Sequence, residues 1–179
     1  REFTADVTPP SVNARLDAAP STWHDSPVKR ILVPVDYSEP SRAVLRFAAE
    51  IARRIGGDLT VVHVWECMPH APADLSVKDR DGKTRKLADV IRDNAEREMT
   101  QFLAASALPA GLPVKSRVES GDAAKCILAD LDSGEFDLLV MGTHGRGGVK
   151  QWVLGSVAEK MVRESKVPVI TVPARAVST

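Results

Sequence analysis

RILVPVD, Arg30 to Asp36, carries an unbroken apolar run from Ile31 to Val35. A strand with one face in water alternates apolar and polar residues, so a continuous run predicts a strand buried on both faces, as in parallel sheets covered by helices. The next residues suit a covering helix. Ser38 offers an N-cap, Pro40 falls in the first turn, and Val44, Ala48, Ile51 and Ile55 recur at helical spacing before Gly56 and Gly57 close the helix.

The same cycle repeats along the chain. DLTVVHVW (58–65) predicts a second buried strand, followed by a charged loop from Glu66 to Gly82 and a helix with Leu87, Ile91, Ala95, Met99 and Phe102 on one face. In PVKSRVES (113–120), Val114 and Val118 alternate with polar residues, which predicts a third strand at a sheet edge. Asp122 caps a short helix carrying Ala124, Ile127, Leu128 and Leu131, and FDLLVMG (136–142) gives a fourth, solidly apolar strand. A helix from Ser156 to Lys166, with Val157, Ala158, Met161 and Val162 on one face, leads to a fifth strand, VPVITVP (167–173). Pro168 cannot donate to a ladder, so this strand is expected at an edge.

Strands and helices in strict alternation predict an α/β fold of Rossmann type: a five-stranded parallel sheet, right-handed crossovers, helices on both faces. The burial pattern suits the strand order 3-2-1-4-5. Connections then leave the first and fourth strands in opposite directions and open a crevice at their carboxyl ends, at Pro34, Val35 and Asp36 and at Val140, Met141 and Gly142.

The 179 residues suffice for one domain with a sizeable core. Lys+Arg and Asp+Glu both number 24, so no overall charge draws nucleic acid or an anionic membrane, and any anion must be held locally. No apolar run approaches the roughly 20 residues that span a bilayer, and a cytoplasmic chain is expected. Residues 1–27, with Pro9, Pro10, Pro20 and Pro27, show neither period and read as an extension whose opening is a fragment or cloning remnant. The domain is expected at 28–175 with a variable insert at 66–82 and a tail at 176–179. Cys67 and Cys126 stand far apart and read as structural. Cys67 with His70 offers two of the three or four ligands that zinc requires, so no metal held by protein alone is expected.

Between the fourth strand and the last helix runs MGTHGRGGVKQWVLGS (141–156), with glycines at 142, 145, 147, 148 and 155. Gly142 and Gly145 are expected to let the backbone turn through conformations closed to other residues and to let a ligand approach main-chain N–H groups. Gly155 and Ser156 begin a helix whose free N–H groups and positive dipole end favour an anion. Ser156 adds a hydroxyl, while Arg146 and Lys150 add positive charge. The sequence holds no G-x-x-x-x-G-K-[ST], no G-x-G-x-x-G after the first strand and no G-x-S-x-G, which speaks against a P-loop NTPase, a dinucleotide fold and a Ser/His hydrolase. Asp36, at a strand end, either serves a ligand, as a carboxylate that can accept from hydroxyls or hold Mg²⁺ through water, or caps the turn after it. His63 is expected to pack against the sheet by strand alternation, and His144 to lie more open in the loop.

The spacing Gly142-x2-Gly145-x9-Gly155-Ser156 resembles the G-2x-G-9x-G-[S/T] motif of the ATP-binding branch of the universal stress protein family. The resemblance runs from Val28 to Pro173 and includes ILVPVDYSEPS, VVHVWE and GSVAEKMVRESKVPVITVP. It implies an adenine nucleotide with phosphates on Gly145, Gly155 and Ser156, ribose near Asp36 and Gly142, and adenine at backbone groups of Val64. The implied binding set is Pro34, Val35, Asp36, Val64, Met141, Gly142, Gly145, Arg146, Gly155, Ser156 and Val157, with ATP as ligand and Mg²⁺ near Asp36. It also favours a homodimer through strand 167–172. No carboxylate pair or activated nucleophile accompanies the loop, so a regulatory role is expected, with slow ATP hydrolysis or an AMP or cyclic AMP module as alternatives.

Overall fold

The computed structural model describes residues 27–65, 75–78, 81–145 and 154–173. β1 (Arg30–Pro34) leads to α1 (Glu39–Ile55) and β2 (Asp58–Trp65). A short pair, β3 (Ser76–Lys78) and β4 (Thr84–Lys86), precedes α2 (Leu87–Ala104) and β5 (Val114–Ser120). Then come α3 (Ala123–Asp132), β6 (Leu138–Gly142), α4 (Ser156–Glu164) and β7 (Val169–Val172). The main sheet has five strands in the order β5-β2-β1-β6-β7, all paired in parallel. In chain order, leaving aside the β3–β4 pair, this is the expected 3-2-1-4-5.

Burial follows the position of each strand. Ile31, Leu32 and Val33 in β1 are wholly buried, because helices cover both faces. One core layer joins Ile31, Val33, Leu59 and Val61 to α1 and α2, and the other joins Leu32, Val62, Leu139 and Met141 to α3 and α4. β5 and β7 are the edges, and Lys115 and Ser116 of β5 are exposed. Pro168 stands just ahead of β7 and still contributes its carbonyl, which accepts from Leu139 N–H at 3.0 Å.

The helix ends form where the sequence suggests. The Ser38 side chain accepts from Ser41 N–H, and Gly56 closes α1 in the left-handed region at φ 66°. Gly57 serves a different purpose: a Cβ there would lie 2.4 Å from the Lys29 carbonyl oxygen, so only glycine lets the chain return beside β1. Asp122 caps α3 by accepting from Lys125 N–H at 2.8 Å.

Two expectations need correction. The buried stripe of α1 is Val44, Leu45, Ala48, Ala49 and Ala52, while Ile55 is 40% exposed, because the helix rests on the sheet through its small residues. The segment 66–82 is not wholly loop. Val77 pairs with Arg85 in the antiparallel β3–β4 ladder, and Leu87 N–H donates to Leu75 O as α2 begins. Three-residue strands of mostly exposed polar side chains leave no periodicity to detect. Cys67, His70, the extension and the tail lie outside the described residues. Cys126 is half-buried, and burial first, then the carboxylates of Glu119, Asp130 and Asp122, pushes its thiol pKa up, away from thiolate chemistry. No helix among the described residues is long and apolar enough to cross a membrane.

Candidate functional site

Where β1 and β6 diverge, a cleft of about 280 Å³ opens at their carboxyl ends. It brings together Pro34, Val35, Asp36, Val64, Met141, Gly142, Gly145, Gly155, Ser156 and Val157. Arg146 and Lys150 lie outside the described residues. Further lining comes from Ser41, Val62, Ala123, Ile127, Thr143 and Ala158, with His63 and His144. Two of the apolar ones had a readable signal: Val62 shares a face with Val64 at period 2, and Ile127 follows Ala123 by one helical turn. Ser41 and Thr143 enter only through the folding of their turns.

Asp36 is built into the start of α1. Its Oδ1 accepts from Ser38 N–H at 3.1 Å and from the hydroxyls of Ser38 and Ser41, each at 2.5 Å. Its own N–H donates to Ser41 Oγ at 3.2 Å. One carboxylate oxygen therefore caps the turn, as one of the two readings had it. The other points toward the loop, since a Cβ on Gly145 would lie 3.4 Å from Oδ2. Capping the turn therefore leaves Oδ2 directed toward Gly145.

Opposite Asp36 stands the amino end of α4. Gly155 is its N-cap and supplies no side-chain hydrogen bond to the first turn, whose N–H groups meet no side-chain acceptor among the described residues. Gly155 N–H itself is committed to Thr143 O at 2.7 Å. Thr143 N–H in turn donates to Val172 O at 3.1 Å, so the loop is pinned to β7 on one side and to α4 on the other.

The glycines act otherwise than expected. None of Gly142, Gly145 and Gly155 has a positive φ, whereas Gly56, Gly82, Gly111, Gly121 and Gly134 do. The requirement is close approach. A Cβ on Gly142 would meet His144 O at 3.3 Å, and one on Gly155 would meet Thr143 O at 3.3 Å and His144 Cα at 3.6 Å.

The two histidines are held in place. His63 Nδ1 lies 2.8 Å from Val35 O, and because a carbonyl only accepts, that nitrogen carries a proton. The ring stacks on Tyr37 at 4.1 Å, so His63 is packed against the sheet as expected while also reaching the cleft. His144 Nδ1 lies 2.9 Å from Thr143 Oγ1, and its Nε2 is buried with no hydrogen-bond partner among the described residues.

The cleft combines apolar walls at Val62, Val64 and Ile127, the N–H donors at the start of α4 and the Asp36 carboxylate. It suits a ligand with a flat apolar ring, hydroxyls in the middle and an anionic tail.

Known proteins share both sequence and architecture. The universal stress protein MJ0531 of Methanocaldococcus jannaschii is 25% identical over 146 residues, 80% of this chain and 81% of that protein. The universal stress protein UspA from Lactobacillus plantarum superposes with a TM-score of 0.62 at 23% identity, over 83% of this chain and 99% of that one. A universal stress protein from Archaeoglobus fulgidus, solved in complex with dAMP, superposes with a TM-score of 0.52 at 23% identity, over 82% of this chain and 98% of its own. The model of the universal stress protein family matches residues 27–173, which span the whole sheet and both walls of the cleft, and the chain belongs to that family.

Proposed function

We propose that the chain is a cytoplasmic, homodimeric regulator that binds ATP with Mg²⁺ in this cleft. The observation that carries the reading is the amino end of α4, without a side-chain cap, facing Asp36 across the cleft. The phosphates rest on the first turn of α4 and the Ser156 hydroxyl, with Gly142, Gly145 and Gly155 allowing the approach and Arg146 adding charge. The ribose lies against Asp36, and the adenine meets Val64 between Val62 and Ile127, where main-chain edges read it. Pro34, Val35, Met141 and Val157 complete the walls.

The residues fit this ligand in their chemistry: apolar, carboxylate, N–H donors. A Mg²⁺ at Asp36 would arrive with the phosphates, held by one carboxylate and the phosphate oxygens, as is usual for this ion. When bound, it would screen the polyphosphate charge beside the carboxylate.

A monophosphate reading, AMP or cyclic AMP, is favoured by the size of the cleft, at the lower limit of the about 300–1,000 Å³ usual for small-molecule sites. The family member bound to dAMP supports adenine as the base under either reading. Mass spectrometry of the small molecule released from freshly purified protein, with calorimetry on ATP, ADP, AMP, cyclic AMP and adenosine, separates the two. ATP should bind with the greatest affinity and raise Tm, since binding only the folded state stabilises it by mass action. Absence of any Tm shift at millimolar nucleotide, with the cleft shown empty beforehand, rules out both.

A further inference from the structure

The chain turns sharply after Asp36, and the turn is made by Tyr37 at φ 62°. Glycine enters this left-handed region freely and asparagine or aspartate at small cost, but an aromatic side chain is strained there. Something must compensate. The Tyr37 hydroxyl donates to Ala95 O, midway along α2, at 2.9 Å. Its ring stands 4.1 Å from the His63 ring and 5.6 Å from the ring of Phe102, another buried residue of α2. The strained turn and α2 therefore stabilise one another.

No residue of α2 lines the cleft. Asp36 and His63 do, and Tyr37 follows the first and stacks on the second. At its other end α2 is tied to the β3–β4 hairpin by the Arg85–Asp93 ion pair at 2.7 Å and by Leu87 N–H on Leu75 O. A continuous chain of contacts thus runs from the carboxylate in the cleft, through one strained residue and α2, to the hairpin tied to the amino-terminal part of that helix.

We propose that Tyr37 couples occupancy of the cleft to the stability of α2 and the β3–β4 hairpin, making that hairpin the surface on which binding is read out. The coupling rests on the nucleotide reading above. A ligand held by Asp36 opposes opening of the Asp36–Ser41 turn. Because Tyr37 keeps its conformation only while α2 holds it, opposing that opening also opposes release of α2. Linkage makes the effect reciprocal: loosening Tyr37 from α2 weakens the ligand.

Hydrogen exchange with and without ATP on wild type, Tyr37→Phe and Tyr37→Gly tests this. Tyr37→Gly removes the strain together with the anchors, and Tyr37→Phe removes only the bond to Ala95 and keeps the ring contacts. ATP should slow exchange of residues 155–158 in all three proteins. In wild type it should also slow exchange of residues 95–102 and of the hairpin, an effect reduced in Tyr37→Phe and absent in Tyr37→Gly, whose ATP affinity should fall about 5-fold or more. Protection of α2 that is equal in wild type and Tyr37→Gly overturns the coupling, as does protection of 155–158 in wild type without any change in α2. Saturating ATP that protects nothing overturns the nucleotide reading and the coupling with it.

Discussion

At Gly155 the backbone passes so close to Thr143 that an added Cβ would lie 3.3 Å from its carbonyl oxygen, which would have to give by a few tenths of an ångström. The N–H of Gly155 already bonds to Thr143 O, so in the proposed nucleotide site this residue would contribute by the side chain it lacks. Gly155→Val should abolish detectable ATP binding in calorimetry while circular dichroism and the unfolding transition persist, because the affected backbone lies at the rim of the cleft. Ser156→Ala removes one donor and leaves the helix end, and should weaken ATP by about 1–3 kcal/mol with adenosine unaffected. ATP binding by a folded Gly155→Val protein at wild-type affinity sinks the phosphate cradle. The motif spacing located these residues in the sequence, but not why they are glycine. Whether a glycine serves a positive φ or a close approach depends on which atoms stand beside it, and Thr143 O reaches Gly155 only once β6 and α4 are in place.

Elements are joined at the opposite end of the sheet by Asp137, just ahead of β6. Its carboxylate accepts from Lys29 N–H and Arg30 N–H at the start of β1 and from the Arg30 guanidinium, with Oδ1 2.6 Å from Nη2. The guanidinium hydrogen bond, helped by the two backbone N–H groups, outweighs burial and lowers its pKa to about 2. A depressed carboxylate pKa adds stability that is complete above the unfolded value near 4 and lost as pH falls toward 2. Arg30 is half-exposed, so screening leaves about 1 kcal/mol. Asp137→Asn should lower stability in urea by that amount at pH 7, and the difference from wild type should vanish near pH 2; a difference independent of pH excludes the assignment. At the end of α1, Gly57→Ala forces a methyl group onto the Lys29 carbonyl and should cost about 1–3 kcal/mol, read as a lower Tm without change in nucleotide affinity at 25 °C. The long elements were legible because burial on two faces leaves continuous apolar runs, and burial on one helical face leaves a stripe. The β3–β4 hairpin buries almost nothing, so its two short strands, held by backbone pairing and by Arg85, left no such trace.

For the molecule as a whole, β7 is an edge of the sheet, with β6 its one neighbour among the described residues. Pro168 O and Val172 O face β6, and the alternation of backbone groups therefore turns those of Val169 and Thr171 outward. Such an edge invites pairing with a second copy across a two-fold axis. Thr171→Pro removes an outward donor and spares the ladder to β6, so it should convert a dimer into a monomer in light scattering at micromolar concentration with Tm little changed. A wild-type monomer under those conditions ends the dimer proposal. The strand order was legible from two separate signs: polar residues alternate along β5, and Pro168, which cannot donate to a ladder, stands ahead of β7. The cleft follows from that order, and its walls come from opposite ends of the chain. Asp36 and Val64 belong to the part before the exposed turn at Gly111, while Met141, Gly155 and Ser156 belong to the part after it. A chain severed at that turn would divide the pocket between two polypeptides, neither of which holds a ligand alone. If the proposed nucleotide binds there, it would act as the glue for their reassembly, and fragment complementation would report its concentration.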